Sequence, residues 1–166
     1  MQTAIRTHYP AEDLAGRVRA QEDRVAIIDA LYRFGAGQDL KDRELFESAF
    51  TPDAELDFVQ PARRLGVDLS VFKGREHISS GVMATIARLD TTHTVTNPRV
   101  EIEGDTATLF ALVEAQHLLK QDHLQSLLLK NMYWVRLRRA EQGRWRIAHM
   151  RINNVWMEGD PRVLFP

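Results

Sequence analysis

The chain has 166 residues, of which 44% are apolar and 27% charged, and these values are typical of one folded globular domain. Its 22 basic and 23 acidic residues leave a net charge of −1, so we expect no nucleic acid partner and no membrane association. The absence of cysteine excludes disulfides, thiolate metal ligands and a cysteine nucleophile. Since no signal peptide or membrane-spanning run is recognisable, we expect a cytoplasmic location.

The first half of the chain has mainly helical patterns. Residues 1–11 show little periodicity and are predicted to form an N-terminal arm, and a helix follows over 12–36. Asp42 is predicted to cap a short helix over 43–50, and a further helix is predicted over 76–89. Residues spaced by three and four predict the core-facing stripe of the first helix: Val25, Ile28, Leu31, Tyr32 and Gly35.

The remaining segments alternate as strands do. One half-buried strand is predicted over 54–59, and residues 60–74, which have no period, are predicted to be a mobile flap or an insertion. Beyond Asp90 the period is two, which predicts long strands separated by glycine-containing turns: 92–103, 106–120, 127–139 and 144–156. Helices followed by strands indicate an α+β class with a single domain over 1–166, in which a curved antiparallel sheet wraps around the N-terminal helices as a cone.

Two ionisable residues are directed inward by these periodicities. Asp39 shares the helical stripe of Ile28 and Tyr32 if the helix continues through the glycines, although it could equally cap or turn the chain before Asp42. His93 begins an inward alternation on its strand, where a histidine is more often a structural residue than a catalyst. A buried ionisable group needs a partner, so the importance of His93 depends on Asp39.

Three further polar residues are candidates for contacts with a ligand. His117 shares the parity of an apolar strand face, and Asn131 shares the parity of Tyr133 on the next strand. Tyr32 stacks two helical turns before Asp39. For each of the three, an ordinary structural role in the core is the competing interpretation.

Several other classes of site are not supported. No histidine or carboxylate cluster has the spacing of metal ligands, and the chain contains no glycine-rich phosphate loop and no nucleophile elbow. We therefore expect neither a metal nor a cofactor.

Four runs of sequence, in their order and spacing, resemble the SnoaL-like branch of the cone-shaped nuclear-transport-factor-2-like superfamily. The resemblance covers nearly the whole chain and is carried by AIIDALYRFGAGQDLKD, LFESAFTPDAELDF, TTHTVTNPRVEIEGDTATL and GRWRIAHMRINNVW. This superfamily includes enzymes, binding domains and accessory subunits, so the fold by itself does not determine the activity.

Within this superfamily the chain is similar to the scytalone dehydratases and the related dehydrochlorinases, which use an Asp–His dyad. The resemblance implies that Asp39 in QDLKD and His93 in TTH are catalytic. It also implies substrate contacts by His117 in EAQH and Asn131 in NMYWV. The chain departs from the dehydratase pattern at Gln38, where a tyrosine is usual, and at Leu129, where a serine is usual. Phe34 stands nearest to the position of the dehydrochlorinase lysine, which argues against dehydrohalogenation.

The resemblance implies a lyase or isomerase that abstracts a proton from a small hydrophobic cyclic substrate, with loss of water. Tyr32, His117 and Asn131 would then stabilise the enolate and the leaving group. Two alternatives stay open: a non-catalytic ligand-binding or accessory domain, like the β subunits of ring dioxygenases, and a ketosteroid isomerase-like or cyclase-like enzyme in which Asp39 is the base.

The predicted sheet also bears on assembly. Its outer face must be covered, so we expect a homodimer or a homotrimer. The interface candidates are the three tryptophans on long strands: Trp134, Trp145 and Trp156.

Overall fold

The computed structural model describes residues 14–165, and the predicted arm over 1–11 lies outside them. Four helices are present: α1 Leu14–Asp39, α2 Arg43–Ser48, α3 Val59–Arg64 and α4 Arg75–Ile86. The six strands are β1 Phe50–Asp57, β2 Phe72–Lys73, β3 Leu89–Glu103, β4 Thr106–Leu119, β5 Asp122–Arg139 and β6 Trp145–Gly159. No helix within the described residues is both long and apolar enough to cross a membrane.

The strands form one sheet in the order β2-β1-β6-β5-β4-β3. The long strands β3 to β6 pair antiparallel with their neighbours, as predicted, while β1 lies parallel to β6. The helices precede the long strands and pack against the sheet, so the predicted α+β class is confirmed. The sheet leaves β2 and β3 as its edges and encloses the helices without closing into a barrel.

Helix α1 presents a different face to the core from the one predicted. Its buried residues are Ile27, Ala30, Leu31, Phe34, Gly35, Gly37 and Gln38. Val25 is 67% exposed and Tyr32 50% exposed, so the predicted stripe was wrong at both positions. Apolar residues spaced by three and four positions fit two neighbouring stripes on the surface of α1. The stripe that contains Phe34 is the buried one, because the Phe34 ring packs against Phe46 and Phe50.

The segment predicted to be irregular, 60–74, contains most of helix α3 and the short strand β2. Helix α2 begins as predicted, because the side chain of Asp42 accepts a hydrogen bond from the Leu45 backbone N–H at 2.9 Å.

The three tryptophans lie in two different environments. Trp145 is 1% exposed, and its indole N–H donates to Asp23 on α1, so the prediction that it lies at an interface was wrong. A β-bulge in β6, at the register shift opposite Arg136 and Leu137, reverses the parity from which its outward position was predicted. Trp134 and Trp156 lie on the other face of the sheet, where Trp156 is 45% exposed.

Candidate functional site

Asp39 is the last residue of α1, and the helix reaches it through two glycines. At Gly35 a Cβ atom would lie 3.1 Å from the Cβ of His93, so the missing side chain allows β3 to approach the helix closely. This close approach brings the Asp39 carboxylate to the inward face of β3.

Asp39 and His93 form a hydrogen-bonded pair. Nδ1 of His93 lies 2.6 Å from Oδ1 of Asp39, and the backbone N–H of His93 donates to Oδ2 at 2.8 Å. Because a carboxylate accepts hydrogen bonds, the proton of the neutral imidazole lies on Nδ1, and Nε2 carries a lone pair. The His93 side chain is 4% exposed and lines a cavity, so this lone pair can act as a base there.

A short chain of polar groups holds the carboxylate from its other side. The hydroxyl of Thr91 donates to Oδ1 of Asp39 at 2.9 Å and accepts from Nζ of Lys41 at 3.1 Å. Lys41 has a positive φ of 59° and also donates to the Gln38 carbonyl. Burial would raise the pKa of Asp39, but the hydrogen bonds and the charge of His93 outweigh burial and lower it. Asp39 is therefore an ionised partner for the imidazole.

His117 lies next to His93, with ring centroids 6.1 Å apart, but its surroundings are different. Its Nδ1 lies 3.2 Å from the Leu127 carbonyl oxygen, which only accepts, so Nδ1 carries the proton. Burial, and secondarily the charge of His93, lower the pKa of His117 to about 4. His117 is therefore neutral near pH 7 and has a lone pair on Nε2. It can accept a hydrogen bond from a substrate hydroxyl.

The opposite wall carries two polar residues that alternate inward on β5. Asn131 is 3% exposed, and its Oδ1 accepts a hydrogen bond from Nδ2 of Asn154 at 3.0 Å. Tyr133 is 2% exposed, and its side chain interacts with that of Asn131. Burial raises the pKa of Tyr133 above its ordinary value, although the Asn131 contact opposes this shift. The Tyr133 hydroxyl therefore keeps its proton near neutral pH.

The cavity between these walls has a volume of about 200 Å³ and is mostly apolar. It forms partly because Ala115 is the β4 neighbour of His93 and leaves the space that a larger side chain would fill. Since a cavity of about 150 Å³ can hold benzene, a one-ring molecule with small substituents fits here. The apolar lining consists mainly of Phe34, Leu56, Phe58, Leu69, Phe72, Val82, Ile86, Leu129, Ile152, Leu164 and Phe165.

The structure brings together four of the five residues selected from the sequence. His93, His117 and Asn131 line the cavity, and Asp39 lies directly behind His93. Tyr32 lies on the exposed side of α1, away from the cavity, so its predicted inward position was wrong. Among residues 14–165 no group of three or more His, Cys, Asp or Glu side chains is close enough to hold a metal ion.

Three polar residues of the site were not selected from the sequence. Thr91 lies two residues before His93 on the same strand face, and Tyr133 lies two residues after Asn131. Strand parity could have identified both, but Thr91 lies just before the strand predicted over 92–103, and Tyr133 was used only to establish the parity of Asn131. Strand parity could not have identified Lys41, because Lys41 lies in a turn and its side-chain direction depends on a positive φ.

Comparisons with known proteins identify the family and the fold of the chain. The model of the SnoaL-like domain family matches residues 19–151. "Terrestric acid biosynthesis cluster protein E" of Penicillium crustosum is 35% identical over 147 residues, which cover 85% of this chain and 88% of that protein.

Solved structures have the same fold. The Kfla4162 protein of Kribbella flavida is 23% identical, with a TM-score of 0.77 over 89% of this chain and 99% of that one. A protein provisionally assigned as a scytalone dehydratase, from Novosphingobium aromaticivorans, is 16% identical, with a TM-score of 0.72 over 87% and 91% of the two chains. At these identities the two likenesses concern the fold alone.

Proposed function

The chain belongs to the SnoaL-like domain family, and from this premise we propose that it is a cofactor-independent lyase or isomerase of the scytalone dehydratase-like kind. Its Asp39–His93 dyad removes a proton from carbon in a small hydrophobic cyclic substrate, and water is lost. The observation that carries this proposal is the 2.6 Å contact between Asp39 and Nδ1 of His93, at a histidine that lines an apolar cavity.

The dyad geometry supports general-base chemistry. Nε2 of His93 takes the proton from the carbon next to a carbonyl group, and the electron pair of that C–H bond forms the enolate. Asp39 stabilises the resulting imidazolium and keeps its orientation. The imidazolium then returns the proton to a hydroxyl group on the β carbon, the C–O bond breaks, and the products are water and a conjugated double bond. One proton is moved twice, and no redox partner is needed.

Two features of Asp39 argue against the alternative in which it is itself the base. Its Oδ1 receives hydrogen bonds from Thr91 and His93, and its Oδ2 receives one from the His93 backbone. The carboxylate lies behind the imidazole, which separates it from the cavity. A substrate proton would therefore meet Nε2 of His93 first.

The proposal is tested by following exchange of α protons for deuterium in one-ring cyclic ketones, with and without a β-hydroxyl group. Wild-type protein is expected to accelerate exchange and to dehydrate the hydroxylated ketones. Asp39→Asn and His93→Gln should each lower the exchange rate by about 10²- to 10⁴-fold, which is the usual contribution of a general base. His123→Gln, which changes an exposed histidine, serves as the matched control and should keep the wild-type rate.

The rival functions give different results in the same assay. If His93→Gln keeps a rate near wild type while Asp39→Asn does not, Asp39 is the base and the dyad mechanism is wrong. If wild-type protein accelerates no exchange but one-ring ketones raise its thermal unfolding midpoint, the chain is a binding or accessory domain.

A further inference from the structure

Tyr133 is a buried phenol that faces the same cavity as His93. It lies on β5, one inward position beyond Asn131, and it is 2% exposed. The ring of Phe34 meets Tyr133 edge to face at 6.0 Å and meets His93 in the same way at 6.3 Å. These packed rings hold Tyr133 and His93 on two sides of one space. A buried hydroxyl in such a place needs a hydrogen-bond partner.

The direction of the neighbouring hydrogen bonds follows from their chemistry. Nδ2 of Asn154 lies 2.9 Å from the Trp156 carbonyl oxygen and 3.3 Å from that of Lys130, and both oxygens only accept, so this atom is the amide nitrogen. The same Nδ2 donates to Oδ1 of Asn131. Asn131 therefore accepts on its oxygen and has its own amide nitrogen available to donate.

The amide of Asn131 lies beside the Tyr133 hydroxyl. When its nitrogen donates to the phenol oxygen, the phenol proton is directed elsewhere, and the cavity is the space that Tyr133 lines. The chain from Asn154 through Asn131 to Tyr133 thus ends in a hydroxyl that can donate to a ligand. Since burial keeps this hydroxyl protonated, it stays a donor near neutral pH.

We propose that Tyr133 is a catalytic residue, whose hydroxyl donates a hydrogen bond to the carbonyl oxygen of the substrate while His93 removes the adjacent proton. The inference rests on the proposed function and adds the electrophilic group that an enolate needs. No atom is transferred to or from Tyr133. The negative charge that builds up on the oxygen strengthens an existing hydrogen bond, and Asn131 and Asn154 are positioning residues for it.

The other polar groups of the cavity are less suited to this role. Nε2 of His117 carries a lone pair, so it repels an enolate oxygen and accepts from a substrate hydroxyl instead. The amide nitrogen of Gln38 donates one of its N–H groups to the Phe34 carbonyl at 3.1 Å, and the hydroxyl of Thr85 donates to the Gly81 carbonyl at 2.9 Å. The substrate should therefore lie with its carbonyl oxygen toward β5 and with a hydroxyl group toward His117.

The experiment compares Tyr133→Phe with wild type and with Tyr32→Phe, a control that removes an exposed phenol outside the cavity. Binding of two one-ring probes is measured, namely 4-nitrophenol in its ionised form, which resembles an enolate, and nitrobenzene, which lacks that oxygen. The dissociation constant for nitrobenzene divided by that for 4-nitrophenol isolates the hydrogen bond. Tyr133→Phe should lower this ratio by about ten- to a hundredfold, whereas Tyr32→Phe should leave it unchanged.

Exchange of ketone α protons provides the second readout. Tyr133→Phe should lower the rate at saturating ketone by about 10²- to 10³-fold, as the loss of an oxyanion donor does, with little change in KM. A purely structural role would instead weaken both probes equally and lower the thermal unfolding midpoint. Asn131→Leu is the second variant, because it keeps the hydroxyl but removes its orientation, and it should lower the binding ratio by a smaller factor.

The outcomes separate this proposal from the function on which it rests. If wild-type protein exchanges no ketone, the dyad mechanism fails, while the binding ratio still reports on the donor at Tyr133. If exchange occurs and depends on His93 but Tyr133→Phe leaves both the rate and the ratio within about twofold of wild type, Tyr133 is a core residue and the proposal is overturned.

Discussion

The two cavity histidines have their Nδ1 atoms against different acceptors. Nδ1 of His93 meets a carboxylate, which stabilises an imidazolium, whereas Nδ1 of His117 meets the neutral carbonyl of Leu127. Two imidazoles with ring centroids 6.1 Å apart would repel each other if both were charged. The site therefore gives His93 a partner that can stabilise its charged form, and it leaves His117 as a neutral acceptor.

The low pKa of His117 predicts that the stability of the protein depends on pH. The pKa of His117 falls from an ordinary value of 6.5 to about 4 in the folded protein. Between these values the unfolded state binds more protons, so the free energy of unfolding decreases as the pH falls from 6.5 toward 4, by up to about 3 kcal/mol, and this contribution is constant above 6.5. Urea unfolding across this pH range measures the slope.

The matched variant for this prediction is His117→Asn, which keeps a side-chain donor near the Leu127 carbonyl but does not titrate. Its stability should lose most of the slope between pH 6.5 and 4. His123→Gln, at an exposed histidine, should keep the wild-type slope. An unchanged slope in His117→Asn would show that other groups cause the acid sensitivity.

At the scale of single residues, the sequence identified candidate site residues more readily than their hydrogen-bond partners. His117 and Asn131 were selected because strand parity depends only on counting by two, and both are buried. Tyr32 was predicted to face the core, but a spacing of three and four residues fits more than one side of a helix, so it does not determine which side is buried. The tautomers of His93 and His117 are set by hydrogen bonds to Asp39 and to the Leu127 carbonyl. These acceptors lie elsewhere in the chain, so the local sequence pattern around each histidine does not predict its tautomer.

Two glycines near the end of α1 set how closely other elements approach it. A Cβ at Gly37 would lie 2.5 Å from the backbone nitrogen of Phe46 in α2, which is a severe clash. A Cβ at Gly35 would lie 3.1 Å from the side chain of His93, which is tight but less severe. Gly37 thus determines how α1 and α2 cross, and Gly35 determines the distance between α1 and β3.

Alanine substitutions at these glycines should separate stability from activity. In an open helix, alanine in place of glycine stabilises by about 1 kcal/mol. Gly37→Ala should instead destabilise by about 1–3 kcal/mol, because the clash involves backbone that cannot move freely. Gly35→Ala should cost less stability but lower ketone exchange at least about tenfold, since it displaces His93 relative to Asp39.

Chemical denaturation and the exchange assay are to be measured on both variants. If both variants lose activity in proportion to their loss of stability, the two glycines do not have separate roles. A stabilised Gly37→Ala variant would show that α2 can shift without cost.

Element types were predicted well where the pattern was long. The long strands and their antiparallel pairing follow from sustained alternation, and the capped start of α2 follows from Asp42. The β-bulge in β6 was not predicted, because one extra residue in a strand is specified by its partner strand. Trp145 was placed on the wrong face for this reason.

At the scale of the whole molecule, the cavity is space that the sheet and the helices enclose but do not fill. Both Ala115 and Ala111, four residues earlier on the same strand, are buried, but only Ala115 lines this space. Two alanines on one face of one strand thus have different surroundings.

Leucine at these two positions should have opposite effects. Ala115→Leu places three more carbon atoms in the cavity, so it should keep or raise stability, by up to about 2 kcal/mol, and weaken binding of one-ring ligands at least about tenfold. Ala111→Leu has no such space and should destabilise by about 1–3 kcal/mol. Thermal unfolding with and without 4-nitrophenol measures both effects. Retained binding in Ala115→Leu would place the ligand site elsewhere.

The expected homodimer or homotrimer stays a prediction. Trp134 and Trp156 lie on the outer face of the sheet and are suited to an interface, whereas Trp145 is committed to the interior through Asp23.

The sequence by itself determined the succession of helices and strands, the α+β class and the parity of most inward residues, because these depend on periodicity within one element. Its resemblance to a known family paired Asp39 with His93 before any contact was visible. Only the tertiary structure decided that a glycine would let these two side chains meet, that His117 would be neutral, and that Tyr133 would face the cavity. Each of these depends on atoms from distant parts of the chain, whose approach is set by packing.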